Sequence, residues 1–265
     1  MSKALRVLIT GAARGIGRAT AQVLAKRGHW VVATDLSAPS GLEGIQAHVL
    51  DVTSDDSVAR CLQDVGPLDA IVNNAGMTTG GGPVEGYPLD RFRQMFETNT
   101  LGALRVIQAV LPAWRERGSG VIVNVSSING RTSTPLRAAY SASKFALEAL
   151  TESLHYEVRH FGIRSVLIEP GATATDIKPS QVHQGPADYA GLWEQCAGAD
   201  TKMTGPSGSQ GPEVVALAIA RAIEDPATPL RVPVGHDAQM ILGMRRSLDD
   251  QAFEDAMRKA IGFTW

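Results

Sequence analysis

The chain has 265 residues, 44% of them hydrophobic and 20% charged, with a formal net charge of −2, a composition that supports a large apolar core in a doubly wound α/β protein read as one domain over residues 1–265. The sequence has no basic run to bind nucleic acid and no apolar run near the roughly 18 residues of a membrane span, and Cys61 and Cys196 lack the spacing of a metal site or disulfide framework. The expectation is a cytoplasmic protein with reduced thiols and no metal, nucleic-acid or membrane partner.

Short β-branched runs alternate with segments of helical period, the pattern of repeated βαβ units around a parallel sheet. The runs predict seven strands, at residues 5–9, 30–34, 47–50, 68–72, 121–125, 165–169 and 230–234. They read as continuous apolar stretches because strands covered by helices on both faces have no solvent side. Helical period covers residues 16–27, 54–64, 89–117, 137–160 and 212–223. The break in this pattern is 176–211, rich in Gly, Pro, Ser and Gln with isolated Tyr189, Leu192, Trp193 and Met203. A long insertion of that kind reads as a substrate lid without regular structure, its aromatics serving as anchors that close over a ligand.

The first predicted strand runs into Thr10-Gly11-Ala12-Ala13-Arg14-Gly15-Ile16-Gly17 and then a helix. Glycines there let the backbone approach a pyrophosphate, and the exposed N–H groups of the helix start supply positive potential. The spacing G-x-x-x-G-x-G departs from G-x-G-x-x-G, and no Gly-Lys-Ser/Thr follows to make a phosphate-transferring loop. Asp35 closes the second strand, where a carboxylate accepts hydrogen bonds from adenosine ribose hydroxyls; read alone, it is also an ordinary residue to open the turn at Leu36 and Ser37.

Tyr140 and Lys144 stand one helical turn apart, so the ammonium of Lys144 sits beside the phenol and favours its ionised form, making tyrosine a usable proton donor and acceptor. Ser127 lies upstream at a strand end. Its neighbour Ser126 competes for the same role, and the spacing to Tyr140 selects Ser127.

These segments resemble the short-chain dehydrogenase/reductases, in their single-domain branch, over nearly the whole chain: Thr10 to Gly17, Asp51-Val52-Thr53, Asn73-Asn74-Ala75-Gly76, Asn99, Ser127, Tyr140-x-x-x-Lys144, and Pro170-Gly171 followed by Thr175. The resemblance implies a Rossmann fold and a nicotinamide cofactor held by Gly11, Arg14, Gly15, Ile16, Gly17, Asp35 and Leu36. It further implies Asp51 and Val52 beside the adenine, Asn73 to Gly76, among them Ala75, stabilising the sheet and lining the cofactor, and Pro170, Gly171, Thr173 and Thr175 at the carboxamide and diphosphate. Asn73 and Asn74 also serve as side-chain caps of their own turn.

By the same resemblance, Tyr140 exchanges a proton with the substrate oxygen and Ser127 hydrogen-bonds it. Lys144, with the positive oxidised nicotinamide, lowers the Tyr140 pKa and also bonds the nicotinamide ribose, and Asn99 holds a water that links Lys144 to solvent. Asp35 favours NAD over NADP, since its carboxylate meets the 2′-phosphate of NADP, and Arg14 pairs with Asp35 instead of rescuing that phosphate. The reaction is hydride transfer between NAD(H) and a secondary alcohol or ketone. Met77, Thr78, Ile128, Asn129, Ala172, Tyr189, Trp193 and Met203 suggest a mainly apolar, medium-sized substrate. Residues 145–154, Glu169-Pro170-Gly171 and 231–237 resemble the branch that includes hydroxysteroid and retinol dehydrogenases. Helices 89–117 and 137–160 are apolar around much of their circumference, which in relatives builds a four-helix interface, so a homodimer or homotetramer is expected. Two alternatives are an epimerase or dehydratase acting on a sugar nucleotide, which carries a longer C-terminal domain and G-x-x-G-x-x-G, and a non-catalytic dinucleotide sensor, which has no use for the tetrad.

Overall fold

A computed structural model describes residues 4–78, 80–175, 185–197 and 208–265. Seven strands form one parallel sheet: β1 (Arg6–Thr10), β2 (Trp30–Asp35), β3 (Gln46–Val49), β4 (Ala70–Asn73), β5 (Gly120–Val125), β6 (Ile163–Pro170) and β7 (Arg231–Val234), in the order β3-β2-β1-β4-β5-β6-β7. All seven predicted strands are present, displaced by one or two residues at their ends. The sheet with helices on both faces is the doubly wound Rossmann arrangement.

Alternation along the strands explains the continuous apolar runs. Val7 and Ile9 of β1 enter one core with Val72, Val123 and Ile168, under α1 (Gly15–Lys26) and a later helix, α7 (Pro212–Glu224). Leu8 turns to the other face and joins Ile71, Ile122 and Trp114, under α2 (Asp55–Val65), α4 (Gly102–Arg117) and α5 (Ala138–Val158). Burying a Leu, Ile or Val side chain stabilises the fold by about 1.5–3 kcal/mol, and both layers draw on this. Strand order reverses between β1 and β4, and the crevice beyond their C-terminal ends is where such sheets bind ligands.

The structure corrects the sequence reading in three places. The helix expected over 89–117 is divided: α3 (Leu89–Phe96) passes through a widened π-turn, Glu97–Leu101, before α4. The cause is polar, because the side chains of Asn99 and Thr100 are both taken up by tertiary hydrogen bonds. Two further helices follow β7, α8 (His236–Ser247) and α9 (Asp250–Ile261), where no element was assigned; their apolar residues Ile241, Leu242, Phe253 and Met257 form a small satellite core with Ile128. In the expected lid, residues 185–197 do contain regular structure, a 3-10 turn Ala187–Tyr189 and the short helix α6 (Ala190–Cys196), while Met203 lies outside the described residues. Among the described residues no helix is long and apolar enough to cross a membrane, and no cluster of His, Cys, Asp and Glu could hold a metal.

Candidate active site

The turn after β1 is shaped by what cannot fit there. Gly11 has φ +66°, and a Cβ on it would stand 2.8 Å from Ala75 Cα. A Cβ on Gly17 would run into the Gly11 carbonyl and the Asn74 amide. The loop after β4 is pressed against this turn by a set of hydrogen bonds. Asn74 N (3.0 Å) and Ala75 N (2.9 Å) donate to Thr10 Oγ1, and Asn74 Nδ2 donates to the carbonyls of Thr10 and Gly11 at 2.9 Å each. Helix α1 begins with no side-chain cap and no acidic residue in its first turn, so its N–H groups and dipole are open to an anion. This is the cradle a pyrophosphate needs.

Asp35 is fixed next to that cradle, its Oδ2 accepting from Ala13 N at 3.0 Å and its Oδ1 from Leu36 N at 2.8 Å. The expected ion pair with Arg14 is not formed: among the described residues no salt bridge joins them, and Asp35 satisfies its oxygens on the main chain. Arg14 is exposed in extended backbone at the helix start, and Leu36 is 69% exposed. Asp51 closes its own turn by accepting from Thr53 N and Oγ1, and Val52 packs under Gly102. Asn73 closes β4. It is buried in the sheet, donating to Asn124 Oδ1 at 2.8 Å, and does not border the cavity described next.

A cavity of about 370 Å³ opens beyond the ends of β4, β5 and β6. It gathers Ile16, Gly76, Ser127, Tyr140, Lys144, Pro170, Gly171, Thr173 and Thr175 from the expected site, residues far apart in the chain. Ser127 ends β5 and caps the 3-10 turn Ile128–Gly130, accepting from Asn129 N at 3.1 Å. Its side chain also hydrogen-bonds Tyr140, as Ser126 does not. Lys144 is buried, donates to the Val125 carbonyl at 2.8 Å, and lies 5.9 Å from the centre of the Tyr140 ring.

Burial acts on both members of the pair. Burial raises the Tyr140 phenol above its ordinary range, while the Ser127 hydrogen bond and the Arg137 charge pull it down. Lys144 is itself lowered to about 8 by burial, with Glu148 opposing. Removing a group from water disfavours its charged form, and burial is the largest cause of both shifts. Asn99 is 2% exposed and its amide is held by the protein: Oδ1 accepts from Met77 N, and Nδ2 donates to Met77 O and Ser143 Oγ.

Of the expected substrate-pocket residues, Met77, Thr78, Ile128, Asn129 and Ala172 line the cavity; Tyr189 and Trp193 do not. Tyr189 instead stacks on Trp265 and donates to Glu85 at 2.9 Å, and Gln195 Oε1 accepts from the main chain of Thr264 and Trp265, so α6 is latched to the segment that follows α9. Sequence reasoning passed over Arg137, Thr134 and Asp237, which also border the cavity. Arg137 had a signal, standing three residues before Tyr140 on one helix face. Asp237 had none nearby: from the start of α8 it accepts from Ala172 N at 2.7 Å and fills the space where a Cβ on Gly171 would go.

Comparison with known proteins agrees with this architecture. A family model described as short chain dehydrogenase matches residues 5–185. Retinol dehydrogenase 8 of Homo sapiens is 36% identical over 248 residues, covering 85% of this chain and 79% of that protein. The crystal structure of a short-chain dehydrogenase from Streptomyces avermitilis is 32% identical, with a TM-score of 0.81 and coverage of 99% and 100%. A second solved short chain dehydrogenase, from Burkholderia cenocepacia in complex with NADP, is 25% identical, with a TM-score of 0.79 and coverage of 97% and 99%.

Proposed function

The chain belongs to the short-chain dehydrogenase family of cofactor-dependent oxidoreductases, and on that premise we propose that it transfers a hydride between NAD(H) and a secondary alcohol or ketone of mainly apolar, medium-sized structure. The observation that carries this reading is the convergence of Ser127, Tyr140 and Lys144 on one cavity that begins at the glycine turn. When bound, the nicotinamide supplies the electron pair. The open start of α1 and Gly11, Gly15 and Gly17 would hold its diphosphate, and Asp35 its adenosine ribose.

In the reductive direction Tyr140 donates its proton to the substrate oxygen, for which a phenol kept neutral by burial is suited. Ser127 hydrogen-bonds the same oxygen and, through its bond to Tyr140, sets the phenol's position. Lys144 replaces the proton on Tyr140's side of the site; lowered to about 8, it remains charged at neutral pH yet releases a proton readily. Asn99 Oδ1 accepts one hydrogen bond, from Met77 N, and has a second lone pair with which it would hold the water that links Lys144 to solvent.

Substrate and cofactor preferences are drawn from the cavity wall. Met77 and Ile128 give it an apolar side, and the similarity to retinol dehydrogenase 8 supports an apolar alcohol. The Burkholderia relative holds NADP, so the preference here rests on Asp35, whose fixed carboxylate faces the ribose position with exposed Leu36, not a basic residue, after it. Discrimination of about 100-fold, equivalent to roughly 2.7 kcal/mol, is expected. The exposed Leu101, Phe145, Tyr156 and Phe161 on and beside α4 and α5 support assembly of two or four copies through those helices. The test is reduced-nicotinamide absorbance with NAD or NADP against a panel of secondary alcohols and retinol, for the native chain and an Asp35→Ser, Leu36→Arg variant. Preference should be for NAD and should invert in the variant; equal efficiency in the native chain would remove Asp35 from control.

A further inference from the structure

Three stretches of chain distant in sequence meet beyond the ends of β6 and β7: residues 171–174, Gln210, and the turn from Val234 to Asp237. Gly171 N donates to the Val234 carbonyl at 3.0 Å. Gln210 N donates to Ala172 O at 3.1 Å and Ala174 N to Gln210 O at 2.8 Å, so that Thr173 and Gln210 form a short parallel bridge. The Gln210 side chain tightens the same joint, its Nε2 donating to Val234 O at 2.9 Å and to Thr173 Oγ1 at 3.4 Å. The two sides of the insertion between β6 and α7 are thereby tied together at its base.

Asp237 fastens this joint to α8. It is 7% exposed and stands in the first turn of that helix, where the dipole favours a carboxylate, and its Oδ2 accepts from Ala172 N at 2.7 Å. A carboxylate bonded to a main-chain N–H makes a shorter and stronger contact than two neutral groups do. Two glycines leave room for it. A Cβ on Gly171 would collide with both carboxylate oxygens, and one on Gly235, which has φ +105°, would stand 2.8 Å from Asp237 Oδ1 and 2.8 Å from Gln210 Nε2. The acid is therefore seated between the segments that follow β6 and β7.

What it fixes is one wall of the cavity. Gly171, Ala172, Thr173 and Thr175 border that cavity, as Asp237 itself does, together with Tyr140 and Lys144. Main chain presents fixed dipoles to a ligand only while it is held still. Residues 171–175 belong to no helix and, apart from the Thr173–Gln210 bridge, to no strand. Among the described residues Asp237 is the one ionisable side chain that hydrogen-bonds this segment.

We propose that Asp237 is a positioning residue: seated against Gly171 and Gly235, it holds residues 171–175 in the shape that receives the nicotinamide end of the cofactor, while the glycine turn after β1 holds the adenosine end independently. The placing of the nicotinamide at this wall rests on the function proposed above; the anchoring of the segment does not.

Amide hydrogen exchange and calorimetry on the full chain test the two parts. In Asp237→Ala the amides of residues 171–175 should exchange faster by roughly tenfold or more, since a hydrogen bond to a charged group is lost, with those of β1 and β4 unchanged. Affinity for NADH should fall by about tenfold, while affinity for ADP-ribose, which lacks the nicotinamide, should stay within about twofold. Asp237→Asn keeps an acceptor oxygen in the same place and should restore most of the NADH affinity. Unchanged exchange in 171–175, or equal losses for NADH and ADP-ribose, overturns the proposal, because a role in general stability would weaken both ligands alike. If Asp237→Ala does not fold, Gly171→Ala decides: its methyl displaces the carboxylate from the other side and should give the same selective loss, and undiminished NADH affinity in that variant overturns the proposal. A native chain that bound neither ligand would count against the proposed function and with it the nicotinamide part, and exchange alone would then decide the anchoring.

Discussion

The two halves of the sheet prepare for their ligands by different means. Around β1, β2 and β4 the site is made of main chain: glycines that admit no Cβ, and Thr10, Asp35 and Asn74 spending their side chains on backbone groups. Around β5, β6 and β7 it is made of ionisable side chains taken out of water, with Tyr140 and Glu169 pushed up and Lys144 pulled down. Diphosphate recognition needs fixed dipoles and close approach, which backbone supplies without moving. Proton transfer needs groups near the point of ionisation, which burial supplies at a cost in stability. A substitution should accordingly act on binding in the first half and on pH dependence and rate in the second.

The largest effect expected is at Tyr140. Tyr140→Phe keeps the ring and its packing but removes the proton, so kcat should fall by about 10²–10⁴ while NAD affinity stays within twofold. Near-native turnover would dissolve the contrast, since the second half would then have no proton chemistry. Next is Gly17→Ala, whose new methyl meets the Gly11 carbonyl and the Asn74 amide. Backbone must shift to admit it, and NAD affinity measured by calorimetry should weaken at least tenfold, by the roughly 1.4 kcal/mol that factor represents. A Gly17→Ala protein that bound NAD normally but had lost its pH profile would invert the assignment of the two halves.

The same contrast decides what could be read from the sequence. The glycine turn, Asp35 and the seven strands were legible because each is local: a turn, a strand end or a run of apolar residues announces itself within ten positions. Tyr140, Lys144 and Ser127 were legible through their spacing. The Glu148–Glu169–Arg231 cluster was not, because its members come from α5, β6 and β7 and only the sheet order makes them neighbours. Burial was equally invisible, and it is the largest cause acting on both Tyr140 and Lys144. The π-turn at Asn99 hid inside a helical period that tolerates one extra residue, and Asp237 lies sixty-odd positions from the Ala172 amide it receives.

A smaller effect sharpens the first half. Asn74→Ala deletes two side-chain hydrogen bonds to the Thr10 and Gly11 carbonyls, at about 1 kcal/mol each, so denaturant unfolding should show a loss near 2 kcal/mol. The loss should be equal at pH 6 and pH 8, because no ionisable group is removed. A strongly pH-dependent loss would show that the backbone-built half is tied to the charged one.

The smallest effect, and the most diagnostic for the second half, is the pH dependence of stability at Glu169. Its carboxyl is raised from an unfolded value of 4.5 to about 7, so the protonated form is the one the fold favours. Stability from this group is complete below 4.5 and is lost as pH rises through 7, where the buried side chain must ionise next to Glu148. Glu169→Gln keeps the shape and an N–H donor but cannot ionise. It should be neutral or mildly destabilising at pH 5, where Glu169 is already uncharged, and should gain on the native protein between pH 6 and pH 8, by a margin on the order of 1 kcal/mol once the Arg131 and Arg231 contacts it weakens are set against the charge it removes. Thermal melts of both proteins across that range give the difference directly. If the native protein gained stability on going from pH 5 to pH 8 and Glu169→Gln lost that gain, Glu169 would be an ionised partner of Arg131 and Arg231, and the second half would be held by ion pairs in place of a stored proton.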